Sequence, residues 1–159
     1  MFTLVRAVVY ASLFIGLLLV FLPAQVVARS GIAAPGQVGA IQVLGILLAV
    51  AGGTLAVSCI LTFAFIGRGT PAPFDPPRRL VVRGPYRWVR NPMYVGATTA
   101  LLGAALYYES LPLFVYGAGF LVLMHLFVIV YEEPTLRRTF GGEYKEYCRR
   151  VGRWWPRWV

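Results

Sequence analysis

The ionisable residues at the end of a long apolar stretch are the first candidates for chemistry. His125 lies inside an apolar run over residues 111–131, and the adjacent pair Glu132-Glu133 follows this run directly. Seven residues correspond to about 700° of helical rotation, so His125 and Glu132 would share one face of a helix. Ionisable side chains near a bilayer are costly and indicate function. The sequence Glu-Glu-Pro also suits a helix end with a turn, which is a purely structural alternative.

The second candidate is the stretch from Gly84 to Gly96, which reads Gly-Pro-Tyr-Arg-Trp-Val-Arg-Asn-Pro-Met-Tyr-Val-Gly. Asn91 is a favourable N-cap residue, and Pro92 suits the first position of a helix. The free backbone N–H groups of such a helix start, together with Arg90, could bind a carboxylate. Helix capping alone would also explain the Asn-Pro pair.

The elements that must position these residues are membrane helices. The chain has 159 residues, of which 58% are hydrophobic and 13% are charged, whereas soluble domains average about 25% charged residues. Apolar stretches predict spans at about residues 7–28, 38–66, 93–108 and 111–131, the last two joined as a hairpin. A crossing needs roughly 20 residues, so the third is short. The first could also be a signal peptide, although it is long for one.

The predicted fold is therefore an all-α integral membrane protein, with residues 1–159 forming a single membrane domain. It has four transmembrane helices, a C-terminal amphipathic interfacial helix and no Rossmann domain. Its length excludes a separate soluble catalytic domain. The small residues Gly45, Ala49 and Gly53 suit close packing between helices.

The distribution of charge predicts the orientation. The net charge is +9, and in a four-span arrangement every Lys and Arg except Arg29 lies on one side. The positive-inside rule then places both termini, the loop 67–92 and the tail 132–159 in the cytoplasm. Arginines interleaved with Tyr and Trp could also indicate nucleic-acid binding. Next to membrane helices, we interpret them instead as interfacial anchors that face anionic lipid.

The two cytoplasmic segments differ in character. The loop 67–92 contains six prolines, which exclude a long helix, and its apolar residues predict that it packs against the helix ends. In the tail, apolar residues recur at helical spacing: Leu136, Phe140, Tyr144, Tyr147 and Val151. Gly141-Gly142 predicts a break in this helix. The tail is either an interfacial helix without a catalytic role or a lid over a cofactor pocket.

Together these stretches resemble the isoprenylcysteine carboxyl methyltransferase-like family, within the broader group of membrane phospholipid methyltransferases. That family carries a Gly-x-Tyr-x-x-Val-Arg-His-Pro-x-Tyr-x-Gly stretch, then paired glutamates, then a Phe-Gly-x-x-Tyr-x-x-Tyr-x-x-x-Val tail. Here these are Gly84 to Gly96, Glu132-Glu133, and Phe140 to Val151. Asn91 stands where the carboxyl methyltransferases usually have histidine. The Asn-Pro-Met-Tyr version is more similar to phospholipid N-methyltransferases, whereas the Phe-Gly-x-x-Tyr-x-x-Tyr tail is more similar to the carboxyl methyltransferases.

The resemblance implies S-adenosylmethionine as methyl donor, bound between the last two spans, the Arg-Asn-Pro-x-Tyr segment and the tail. Glu132 or Glu133 would pair with the ammonium group or the ribose hydroxyls of the donor, and Arg90 with the helix start would hold its carboxylate. The implied donor-binding residues are Gly84, Tyr86, Arg90, Asn91, Pro92, Tyr94, Gly96, His125, Glu132 and Glu133. Of these, Arg90, Tyr94 and Glu133 are expected to be catalytic.

The implied reaction is direct methyl transfer to a lipid-like or prenylated amphiphile. It needs no metal, and a single histidine with two distant cysteines offers no metal site. A carboxylate acceptor of the isoprenylcysteine type is favoured and needs no base. The alternative phospholipid amine would lose a proton to His125, Tyr94 or a glutamate. A non-catalytic lipid-binding or scaffold protein would explain the four helices equally well, but not the two motifs together.

Overall fold

The computed structural model describes residue 13 and residues 15–67 and 79–157, without the side chains of residues 64 and 67. Within these ranges the chain is helical, and its one strand-like pairing is an isolated parallel bridge between Val89 and Gly152. Much of the first half of the predicted first span lies outside the described residues, and so does most of the proline-rich loop.

Five helices are named here in chain order. They are α1 (Gly16–Arg29), α2 (Ala40–Thr62), α3 (Pro92–Tyr107), α4 (Leu111–Phe127) and α5 (Glu133–Arg150). π-Helical turns form the first part of α1 (Gly16–Phe21), extend α2 (Phe63–Gly67) and join α4 to α5 (Val128–Glu132). A 3-10 turn, Gly84–Arg87, precedes α3. The boundaries of α2, α3 and α4 agree with the predicted spans to within a few residues.

Among the described residues, two helices are long and apolar enough to cross a bilayer: α2 and the continuous helix Leu111–Arg150. Only 22% and 28% of their most apolar windows are buried inside the protein. Most of this apolar surface therefore points outward, as in a membrane span and unlike the core helix of a soluble protein. The 16 residues of α3 span roughly 24 Å, less than the bilayer core of about 30 Å. The four-span topology therefore stays a prediction.

The backbones of α2 and α3 are in direct contact. A Cβ atom on Gly45 would lie 2.7 Å from the carbonyl oxygen of Gly103, and one on Gly96 would lie 2.7 Å from that of Gly52. Residues without a side chain permit such an approach. The prediction that Gly45 packs closely against another helix is confirmed. The same prediction is wrong for Gly53, which faces open space, and the preceding residue Gly52 makes the close contact instead.

The predicted hairpin joins α3 to α4. Ser110 is the N-cap of α4, and its hydroxyl accepts a hydrogen bond from the N–H of Leu113 at 3.2 Å. The two helices share a buried core formed by Tyr94, Ala97, Leu101, Phe120, Met124 and Val128. This core fixes the start of α3 against the end of α4, where both candidate motifs lie.

The end of α4 is not the helix end with a turn that the sequence Glu-Glu-Pro would also suit. The helix does not stop at Glu132-Glu133-Pro134 but continues into α5 through the π turn, where the N–H of Glu133 donates to the carbonyl of Val128. Proline cannot donate a backbone hydrogen bond, and a π turn is one way in which a helix passes such a residue. Gly141, with φ of 50°, then bends α5, which confirms the predicted break.

Beyond this bend, the apolar face of the tail folds back over the segment before α3. Tyr144, Tyr147 and Val151 form a buried cluster against Leu80 and Leu136. The periodicity of the tail is therefore confirmed as an apolar helix face.

Candidate functional site

A cleft, partly open to solvent, lies where the start of α3, the end of α4 and the folded-back α5 meet. Its polar walls include Arg90, Asn91, Glu132 and Glu133, and its aromatic walls include Tyr86, Tyr94, Phe127, Tyr131, Tyr144 and Tyr147. The two motifs that the sequence separates by about forty residues thus line one cavity.

An ion-pair network centres on Glu133. Nη1 of Arg90 lies 2.9 Å from Oε1 of Glu133, and the two side chains are 10% and 6% exposed. Arg153 donates from Nε and Nη2 to the two carboxylate oxygens at 2.7 and 2.9 Å. Nη2 of Arg137 lies 3.6 Å from Oε2. One buried carboxylate is therefore shared by three guanidinium groups.

These contacts decide the ionisation of Glu133, which lies beyond the apolar run that ends at Tyr131. Burial acts to raise the pKa of Glu133, but the hydrogen bonds from Arg153 and the charges of Arg90, Arg153 and Arg137 outweigh it. The pKa is therefore held below its usual range, and Glu133 is ionised at neutral pH.

Glu132, also beyond that run, has different surroundings. The hydroxyl of Tyr94 donates to its Oε2 at 3.1 Å. Burial raises the pKa of Glu132 to about 7, with a further increase from the charge of Glu133 and an opposing effect of the Tyr94 hydrogen bond. Adjacent carboxyl groups whose pKa values are pushed apart are typical of sites in which the two groups have different roles.

Arg90 retains an unused donor. Its Nη1 also donates to Sγ of Cys148 at 2.8 Å and to the hydroxyl of Tyr144 at 3.4 Å. Its Nε is buried and has no hydrogen-bond partner among the described residues. Such a donor costs about 1–3 kcal/mol when it is left unpaired. The guanidinium of Arg90 therefore keeps one hydrogen-bonding group that the described residues do not satisfy.

Asn91 and Pro92 occupy the first positions of α3 as predicted, but the side chain of Asn91 does not cap the helix. Its amide instead donates to the carbonyl of Arg153 at 3.2 Å. The N–H of Arg90 also donates to the carbonyl of Gly152 at 2.9 Å. Hydrogen bonds thus join the residues before α3 to the C-terminal segment.

The structure brings six of the ten predicted donor-binding residues to the cleft: Tyr86, Arg90, Asn91, Tyr94, Glu132 and Glu133. Pro92 is buried at the start of α3, Gly96 packs against α2, and Gly84 adopts a φ of 59° beside Thr62. None of these three lines the cleft.

His125 is the fourth predicted residue outside the cleft. Its Nδ1 accepts a hydrogen bond from Nε1 of Trp154 at 3.0 Å. The π turn between His125 and Glu132 changes the helical rotation, so the seven-residue spacing no longer puts both on one face.

Sequence reasoning missed Arg153 as a partner of Glu133. It lies in a tail with many arginines, and no spacing distinguishes it from the others.

Comparison with known proteins gives the family. A family model described as phospholipid methyltransferase matches residues 40–143. The chain belongs to this family. No curated protein and no solved structure matches it. The match runs from the start of α2 into α5, so it includes Arg90, Tyr94 and both glutamates.

Phospholipid methyltransferases and the isoprenylcysteine carboxyl methyltransferase-like proteins belong to one superfamily, so the resemblance seen in the sequence is confirmed. Membership identifies the protein as a membrane methyltransferase. The matched region ends before Tyr144 and Arg153, which complete the network around Glu133 in this chain.

Proposed function

We propose that this phospholipid methyltransferase family member transfers a methyl group from S-adenosylmethionine to the polar end of a lipid-like acceptor at the membrane surface. The observation that carries the proposal is the convergence of Arg90, Glu132 and Glu133 on one cleft at the ends of α3 and α4. The family supplies the reaction class, and this cleft supplies a place for it.

The cleft residues fit the methyl donor. The guanidinium of Arg90, which lines the cleft and keeps one unsatisfied donor, suits the donor's carboxylate, because the two groups would form a charge-assisted hydrogen bond. Tyr86, Tyr144 and Tyr147 offer aromatic surface for a nucleoside. When bound, S-adenosylmethionine supplies a methyl group activated by a positively charged sulfur.

In this proposal the protein acts mainly by positioning the donor and the acceptor and by excluding water. Glu133 and Arg153 fix the guanidinium of Arg90, and the folded-back half of α5 covers the cleft as a lid. A rigid, partly closed site of this kind favours transfer between two aligned groups. Glu133 is therefore a positioning residue that acts through Arg90.

We also infer the four-span topology, with both termini, the loop before α3 and the tail in the cytoplasm. The concentration of arginines on one side supports it. The cleft would then open to the cytoplasm, where a soluble donor enters, and a lipid-like acceptor would arrive from the bilayer.

The charges of the cleft favour an amine acceptor over the carboxylate that the tail motif indicates. Among the described residues, Arg90 is the one basic side chain that lines the cleft, and it is paired with Glu133. Among the same residues, no basic side chain is paired with Glu132. A carboxylate acceptor would be repelled by Glu132 when that group is ionised, whereas a positively charged amine would be attracted.

Labelled methyl transfer into a native membrane lipid extract, followed by mass spectrometry, tests the function and the acceptor together. A methyl ester is released by mild base, whereas an N-methyl group is not. The labelled methyl group is expected to stay on the product in mild base. Release of the label as methanol would favour the carboxylate acceptor.

Binding of S-adenosylhomocysteine, measured by calorimetry, tests the donor site independently of the acceptor. A folded sample without any binding would contradict the proposal and support the non-catalytic alternative. The Arg90→Ala variant should bind at least about tenfold more weakly, because a charge-assisted hydrogen bond is worth about 1.5–3 kcal/mol.

A further inference from the structure

We infer that Glu132, oriented by Tyr94, is the catalytic group that accepts the proton of the amine acceptor. This inference rests on the proposed function. It assigns to one of the two adjacent glutamates a role that the other cannot perform.

The location of Glu132 supports this assignment. Its partner Tyr94 belongs to the apolar core between α3 and α4, which includes Val128 and packs against Met93, and all three residues line the cleft. Glu133, one residue later, is turned towards the arginines of the loop and the tail. The polar end of a lipid-like acceptor would therefore meet Glu132 next to this apolar core.

The groups that face Glu132 leave it able to take up a proton. They are the hydroxyl of Tyr94 from α3, the ring of Tyr86 from the 3-10 turn and the carboxylate of Glu133 from α5. In the described part of the chain no arginine or lysine forms an ion pair with Glu132. Glu133, in contrast, is paired with three arginines, and these stabilise its ionised form too strongly for it to act as a base.

The proposed step is a single proton transfer. An N–H bond of the acceptor's ammonium group breaks, its electron pair stays on nitrogen, and a new O–H bond forms on Glu132. A positive ammonium and a negative carboxylate become a neutral amine and a neutral acid, so charge is conserved. Because Tyr94 already donates to Oε2, Oε1 is the oxygen available for the proton. The freed electron pair makes the amine nucleophilic, and the proton later passes to water.

Binding of simple probes tests the inference without a turnover assay. Octylamine and octanol differ in the group that would meet Glu132, and an alkyl ammonium stays protonated up to about pH 10. Calorimetry on the full chain in lipid nanodiscs should show that octylamine binds about tenfold more tightly near pH 8 than near pH 6, as a carboxyl group titrates between them. Octanol binding should not change. If octylamine binding to the wild-type protein were as independent of pH as octanol binding, the inference would be overturned.

Two variants separate the acceptor role from the donor role. Glu132→Gln should remove the pH dependence of octylamine binding and leave S-adenosylhomocysteine affinity within about twofold of wild type. The control Glu143→Gln, at an exposed tail position, should retain the pH dependence. Retained pH dependence in Glu132→Gln contradicts the inference. Loss of S-adenosylhomocysteine binding in that variant would show that Glu132 serves the donor instead.

Tyr94→Phe gives an independent test because it keeps the ring and removes one hydrogen bond. That bond favours ionised Glu132, so its loss should move the midpoint of octylamine binding to higher pH. A role of Tyr94 in packing alone would leave the midpoint unchanged and would count against the inference. Failure of wild-type protein to bind S-adenosylhomocysteine would instead refute the proposed function, so the two failures are distinguishable.

Discussion

The indole N–H of Trp154 donates to Nδ1 of His125 at 3.0 Å, which ties the C-terminal segment to the last turn of α4. Arg153, the preceding residue, reaches Glu133, and the carbonyl of Arg153 accepts a hydrogen bond from Asn91. The C-terminal segment is thus held on α4 and on the start of α3 at once. The cleft depends on this attachment, because Arg153 fixes the carboxylate that fixes Arg90.

Trp154→Phe should therefore lower both the stability of the protein and the affinity of its donor site. Phenylalanine keeps most of the ring packing but loses the hydrogen bond to His125, which is worth about 1 kcal/mol. We expect a lower thermal midpoint in detergent and weaker S-adenosylhomocysteine binding. The matched control is Trp155→Phe, since Trp155 is 83% exposed, and its effect should stay within about 0.5 kcal/mol. Equal effects of the two variants would contradict this role of Trp154.

Glu133→Gln should be the most damaging conservative change in the network. It leaves Arg90 and Arg153 without their counter-charge in a site where the side chain of Glu133 is buried. Removing one partner of a buried ion pair typically costs about 3–5 kcal/mol. Thermal or denaturant unfolding measures this loss, and S-adenosylhomocysteine affinity should fall with it.

Glu146→Gln is the matched control for Glu133→Gln. Glu146 also pairs with two arginines, Arg149 and Arg150, but on an exposed face of α5. Exposed pairs contribute roughly 0–1 kcal/mol. A Glu133 variant no less stable than the Glu146 variant would mean that the network around Glu133 does not hold the fold.

The ionisation of Glu133 predicts a loss of stability in acid. Its folded-state pKa lies below the usual value of about 4.3, so folding favours the ionised form. This contribution is fully present above the unfolded-state pKa and is lost as pH falls through the lower folded-state pKa. Unfolding midpoints measured from neutral pH downward should therefore fall more steeply for the wild type than for Glu133→Gln. Parallel curves for the two proteins would contradict the assignment.

The parts of this structure that follow local rules could be predicted from the sequence. The apolar runs predict the helices, and Gly141-Gly142 predicts the bend in α5. Both motifs reach the cleft because the α3–α4 hairpin brings the start of one helix beside the end of the other.

The parts that depend on long-range contacts could not be predicted in this way. The π turn rotates Glu132 away from the face of His125, and the sequence spacing assumes a regular helix. The pairing of Arg153 with Glu133 depends on the C-terminal segment folding back, a contact between residues 20 positions apart. Arginine-rich tails give no spacing that selects one arginine as a partner.

The contact between α2 and α3 supplies the last prediction, because it positions the helix that carries Tyr94 and follows Arg90 directly. Gly52 lies directly against the backbone of Gly96 and Ala100, whereas the adjacent Gly53 faces open space. Gly52→Ala would force the helices apart and should cost about 1–3 kcal/mol, with a loss of S-adenosylhomocysteine affinity as α3 moves. Gly53→Ala should be neutral or stabilising by up to about 1 kcal/mol, because alanine favours a helix. Unfolding and binding measurements on this pair of neighbours check the contact. A Gly52→Ala variant as stable as Gly53→Ala would show that α3 is not held by close backbone packing against α2.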